Sequence, residues 1–145
     1  MKRTPLKRVK RLVAKRKSKI RPITPLKKKL DTLFSLYIRK KYDKTCYTCG
    51  GGGKVLQCGH FVSRMYLATR WDENNARPQC RMCNCLMNGR AVDFEERLIG
   101  EIGQEQVDLL KRKRKEITKL TPDWYEEQIK LFTAKLSTLE EKEVG

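Results

Sequence analysis

Two cysteine pairs, Cys46-Tyr47-Thr48-Cys49 and Cys80-Arg81-Met82-Cys83, stand thirty residues apart in this chain. In a C-x-x-C pair the backbone curls so that both sulfurs converge on one point, and two such pairs make a tetrahedral thiolate set. That set selects zinc, which brings no redox chemistry and fastens distant loops together. Gly50 to Gly53 follow the first pair and give its turn the necessary freedom. Cys58 and His60 lie two apart on an expected strand, hence on one face, and either could replace one of the four. The two pairs are preferred because each closes a local chelate by itself. Cys85 is read as a small apolar packing residue.

His60 is the only histidine. An imidazole titrates near neutrality and can take a proton from water. Asn75 lies fifteen residues further on, and Asn84 directly follows the fourth cysteine. Arg64, Arg70, Arg77, Arg81 and Arg90 surround this run, and guanidinium groups grip phosphates bidentately.

Residues 1–29 hold 14 Lys or Arg and no acid, whereas the remainder holds 20 basic and 17 acidic residues, a net of only +3. The charge of the chain therefore resides in an N-terminal arm. A nucleic acid is the natural partner, because each phosphate neutralised releases condensed counterions; an anionic membrane surface or a ribosome would attract the same arm. No apolar run approaches the length of a bilayer span, and no hydrophobic signal region follows the basic start. The expectation is a soluble, cytoplasmic protein in a reducing compartment, where cysteines serve metals rather than disulfides.

At 145 residues and 39% apolar content there is room for one compact domain with a modest core, the kind that gains from a metal staple. Leu26, Leu30, Leu33, Phe34, Tyr37 and Ile38 predict a helix over 25–42, opened by Thr24-Pro25. The same Thr-Pro-Leu-Lys phrase at Thr4 precedes a weak apolar stripe, expected to be helical only with a partner present. Val55 to His60 reads as a strand, 61–75 as irregular around an anchoring Trp71, and Asn75 to Gln79 as extended. A helix is expected from Cys80, broken at Asn88-Gly89, then helices over 92–99 and 104–120. The last helix opens at Thr121-Pro122 and carries Tyr125, Ile129, Phe132, Leu136 and Leu139 at coiled-coil spacing. That seam packs either on the body of the domain or on a second copy. The organisation expected is a basic arm (1–24), a zinc-bound domain (25–120) and an amphipathic C-terminal helix (121–145).

The run from His60 through Asn75 to Cys80-x-x-Cys83-Asn84 resembles the HNH, or ββα-metal, nuclease motif in its H-N-N variant, as in endonuclease VII-type resolvases. Leu56-Gln57-Cys58-Gly59-His60-Phe61, Arg77-Pro78-Gln79-Cys80-Arg81-Met82-Cys83-Asn84 and Ile102-Gly103-Gln104-Glu105-Gln106-Val107-Asp108 look like the phage NinG/Rap recombination endonucleases. The likeness runs from Cys46 to Leu110. It implies an α+β fold, a zinc-stapled ββα finger flanked by helices, and metal-dependent cleavage of branched DNA such as Holliday junctions and D-loops.

Phosphodiester hydrolysis needs an activated water, stabilised phosphoryl oxygens and help for the departing oxygen. The resemblance makes His60 the general base, Asn75 the residue that ties backbone across the finger to orient it, and Asn84 an oxygen ligand for Mg²⁺ or Mn²⁺. Many such enzymes carry a carboxylate or second histidine before the general base, where this chain has Gly59. Asp72, Glu73 and Asp93 are the nearby acids that could complete the metal shell. Two symmetric nicks in a junction imply a homodimer, with the last helix as the preferred seam. Two alternatives stand beside this reading: an HNH nicking or restriction-type nuclease on duplex DNA, and a non-catalytic zinc module that binds nucleic acid.

Overall fold

The computed structural model describes residues 21–42, 44–51 and 55–145. The arm of residues 1–20, with its expected partner-induced helix, lies outside them. Helix α1 spans Ile23–Lys41, and its apolar face buries Leu30, Phe34, Tyr37 and Ile38. It begins before the expected Thr24 cap: Pro22 occupies that position, with no side-chain hydrogen bond to the first turn. Strand β1 (Gln57–His60) pairs antiparallel with β2 (Ala76–Gln79), setting Gly59 opposite Arg77 and His60 opposite Ala76. Between them run the short helix α2 (Leu67–Arg70) and a 3-10 turn, Glu73–Asn75, capped by Asp72.

The helix expected from Cys80 is a single wide turn, Met82–Leu86, of π type. Asn88, Gly89 and Arg90 all take positive φ, which ends that turn at the Asn-Gly break read from the sequence. Helix α3 (Ala91–Ile102) and helix α4 (Gln104–Lys113) follow. Helix α4 stops short of the expected residue 120: Ile117 is 94% exposed, and Leu120 packs on a different core from Val107 and Leu110. Helix α5 (Pro122–Val144) opens as expected, with the Trp124 amide donating to the Thr121 hydroxyl at 3.2 Å.

Two cores flank the hairpin. The first joins the α1 face to Tyr125, Ile129, Phe132 and Leu136 of α5, with Trp71 and Ala76 at its end. Phe132 meets Phe34 edge-to-face at 5.2 Å. The α5 stripe is thus consumed within the chain, and the expected seam for a second copy is corrected on that ground. Residues 121–145 share a core with α1 because that surface is the large apolar face α1 leaves open. The second core packs Phe94 and Leu98 of α3 with Val107 and Leu110 of α4 and with Val62. The architecture is α+β, and among the described residues no helix is long and apolar enough to cross a membrane.

Candidate functional site

The four sulfurs of Cys46, Cys49, Cys80 and Cys83 all lie within 4.8 Å of one another, and Cys49 and Cys80 are 3.9 Å apart. Zinc–sulfur bonds of about 2.3 Å in a tetrahedron place the sulfurs about 3.8 Å apart, so the cluster fits the ion. Each knuckle is built locally. The Gly51 amide points at Cys49 Sγ at 3.4 Å and the Cys83 amide at Cys80 Sγ at 3.5 Å, while Gly50 turns the chain at φ 70°. Burial works to raise the Cys46 thiol, but the Thr48 hydroxyl and surrounding amides outweigh it and draw it down to about 6. At Cys49 the Gly51 amide works downward, yet the neighbouring sulfurs push that thiol up to about 11. Four crowded sulfurs cannot all ionise without a cation among them. These residues can hold a structural metal such as zinc.

Cys58 and Cys85 stand outside this cluster. Burial pushes the Cys58 thiol up to about 12, and its sulfur is not among the four that converge. The reading of Cys85 as a packed apolar residue is corrected: it is exposed, and its thiol donates to Gln57 Oε1 at 3.1 Å.

His60 and Asn84 line one cavity of about 450 Å³ between α1, β1 and the π-turn. The imidazole lies beside Phe34, ring centroids 6.1 Å apart. Its Nε2 is 2.9 Å from the Arg70 carbonyl oxygen. A carbonyl only accepts, so Nε2 carries the proton and Nδ1 of the neutral ring is left as the acceptor. Burial lowers the His60 pKa against the raising effect of that carbonyl, which keeps the ring neutral at neutral pH. Asn84 donates through Nδ2 to Gln57 Oε1 at 2.9 Å, and its Oδ1 has no hydrogen bond among the described residues.

Asn75 is fully buried and ties the 61–75 loop shut. Its Oδ1 accepts from the Val62 amide at 2.7 Å, and its Nδ2 donates to the carbonyls of Val62 at 2.9 Å and Thr69 at 3.0 Å. It spans the segment between the strands as expected, and with 0% exposure its side chain is out of reach of anything outside the protein.

The five arginines divide. Arg64 and Arg81 are exposed, and Arg90 is partly so. Arg70 and Arg77 are corrected as DNA contacts, being 9% and 1% exposed. Arg70 grips Asp31 through two nitrogens, at 2.8 and 2.6 Å. Arg77 bonds Glu101 and the carbonyls of Glu73 and Ala76, and stacks over Tyr42 at 4.5 Å. A buried guanidinium must spend its donors on internal acceptors, since water cannot reach them.

None of the three acids considered for a second metal lines the cavity. Asp72 caps the 3-10 turn, Glu73 is held by Tyr37, Lys41 and Lys135, and Asp93 pairs with Arg90. The carboxylate that does line it is Asp31, on α1, together with Arg39. Both escaped the sequence reading, as did Gln57. Asp31 carried a signal, being the only acid in the first 42 residues, set among cations.

The family model for the bacteriophage Lambda NinG protein matches residues 1–143. Proteins named ninG from Escherichia phage 933W and Enterobacteria phage VT2-Sa are each 31% identical over 96 residues, covering 64% of this chain and 48% of theirs. The chain thus spans about half the length of these curated relatives. No solved structure matches.

Proposed function

This chain belongs to the bacteriophage NinG family, and we propose that it is a metal-dependent endonuclease that cuts branched DNA by phosphodiester hydrolysis. The observation that carries the reading is that His60 and Asn84, far apart in sequence, line one cavity, with the His60 Nδ1 available as a proton acceptor.

In this reading His60 removes a proton from the attacking water through Nδ1, while the Arg70 carbonyl holds the Nε2 proton. The cavity is edged by Arg39 and Arg64, which face the phosphate from α1 and from the loop. Asn84 offers Oδ1 to Mg²⁺ or Mn²⁺, oriented by Gln57. The bound cation supplies charge stabilisation for the phosphoryl oxygens. The Asp31 oxygens are already engaged by Arg70 and Trp71, so this chain offers the cation one amide oxygen and leaves the rest of its shell to water and DNA. The cysteine-held ion has a separate, structural duty, and the cationic arm of residues 1–29 adds affinity that does not depend on base sequence.

The test is cleavage of a four-way junction, a fork and a linear duplex at matched concentration, with and without Mg²⁺. Faster cutting of the junction, only with metal, is expected. Equal cutting of linear duplex removes the junction selectivity and favours a duplex nickase. Tight binding with no cleavage of any substrate removes the nuclease reading and leaves a nucleic-acid-binding zinc module.

A further inference from the structure

The carbonyl that holds His60 belongs to the peptide unit joining Arg70 to Trp71, and one carboxylate grips the side chains on both sides of that unit. Asp31 Oδ1 accepts from Arg70 Nε at 2.8 Å and from Trp71 Nε1 at 3.0 Å, while Oδ2 accepts from Arg70 Nη2 at 2.6 Å. A third arginine nitrogen, Nη1, donates to the Arg64 carbonyl at 2.7 Å and closes the loop on itself. Asp31 is carried by α1, which Leu30, Phe34 and Ile38 seal into the main core. Loop peptides otherwise rotate with little resistance. This one is clamped from both ends to a rigid helix outside the finger.

We propose that Asp31 is a positioning residue: by clamping Arg70 and Trp71 it aims the peptide carbonyl at Nε2 of His60 and thereby selects the tautomer in which Nδ1 is the free acceptor. The catalytic part of this statement rests on the endonuclease reading above; the tautomer part does not. Neighbouring charges do not replace the clamp. Arg64 approaches Asp31 only at 3.6 Å, and Arg39 spends its Nε on the Ser35 carbonyl at 3.2 Å. A lysine at position 70 would keep the charge and lose the two-pronged grip.

Because His60 is the only histidine, the ¹⁵N resonances of one ring report its tautomer in the intact protein without any assay of activity. The zinc-loaded chain of 145 residues is expected to show a single species protonated at Nε2. Asp31→Asn and Arg70→Lys are expected to give a mixture of tautomers. On the best DNA substrate they are expected to lower kcat roughly 10- to 100-fold with little change in KM, because the base is present but misaimed. Asp31→Glu, which keeps the carboxylate, should recover most of the loss. If Asp31→Asn does not fold, Trp71→Phe removes one bond of the clamp while keeping a ring in the core, and a smaller shift toward the second tautomer is expected. An unchanged tautomer in a folded Asp31→Asn or Arg70→Lys variant, or in Trp71→Phe where neither folds, overturns the proposal. A wild-type protein that cuts no DNA, with tautomers that still respond to these substitutions, ends the nuclease reading and leaves the clamp standing.

Discussion

Gln79 lays its side chain across Gly59, so that a Cβ at position 59 would sit 2.0 Å from Oε1 and 2.7 Å from Cδ of Gln79. The two are diagonal neighbours in the hairpin, since Gly59 pairs with Arg77. Gln79 cannot swing away freely, because its Nε2 donates to the Thr48 hydroxyl at 3.0 Å and to the Gly89 carbonyl at 2.9 Å. Those bonds join the strand to both knuckle regions of the metal site. The glycine before His60 is therefore a packing requirement of this fold. We expect Gly59→Ala to lose about 1–3 kcal/mol in urea unfolding, and Gly59→Asp to lose at least as much without gaining activity. A Gly59→Asp variant that is stable and more active would refute the packing account.

One equivalent of zinc per chain is expected by elemental analysis. Serine at Cys46, Cys49, Cys80 or Cys83 should abolish it, and serine at Cys58 or Cys85 should not. A structural zinc is coupled to folding, so chelation is expected to lower Tm by well over ten degrees. Retention of zinc after loss of any one of the four thiols would count against the site.

Asn75→Ala removes three buried hydrogen bonds and leaves the Val62 amide and carbonyl without partners, while the Thr69 carbonyl keeps the Asp72 amide. About 2–4 kcal/mol should be lost, since each orphaned buried group is expensive. Asn75→Asp should be little better, because it restores only the acceptor. Equilibrium unfolding decides; a change below about 0.5 kcal/mol would mean the loop is closed by other contacts.

The arginines separate by experiment as they do by burial. Arg64→Ala, on the surface, should weaken DNA binding and shallow its salt dependence by roughly one phosphate while leaving Tm unchanged. Arg77→Ala should leave Glu101 without its cationic partner, still held by the Tyr47 hydroxyl, and an internal void, with about 3 kcal/mol lost. Reversal of these two outcomes would show that burial does not divide the set.

Burial holds the His60 pKa below its ordinary value, so proton acceptance should survive acidification further than for a free imidazole. The acid limb of kcat against pH is expected below about 6.5. The sign for stability agrees: above the unfolded-state pKa both states are neutral, and as pH falls from there the unfolded chain takes up the proton first. His60 therefore contributes stability that is lost as pH falls through its folded pKa. A His60 ring that titrates above about 6.5 when followed by its ¹⁵N resonances would contradict the buried, neutral ring.

How much of this was legible in the residues follows from how local each feature is. The cysteine pairs could be read directly, because a C-x-x-C turn brings its two sulfurs together by backbone geometry alone, and a metal needs only two such turns to meet. The α1 face and the α5 stripe were equally plain, since helical periodicity reports burial wherever it occurs. What covers the stripe was not. Only the packing of α1 against α5 decided that the partner lies in the same chain. The arginines show the same division: Arg64 and Arg77 are the same residue type in the same charged neighbourhood, and periodicity does not say which guanidinium finds a carboxylate 24 residues away. Asp31 and Arg70 are 39 residues apart. Neither is informative until α1 folds over the hairpin, because the energy of an ion pair depends on separation and desolvation, and the chain order encodes neither. The residue types and local turns were set by the sequence alone; which charges are buried, and against what, was decided by tertiary contact.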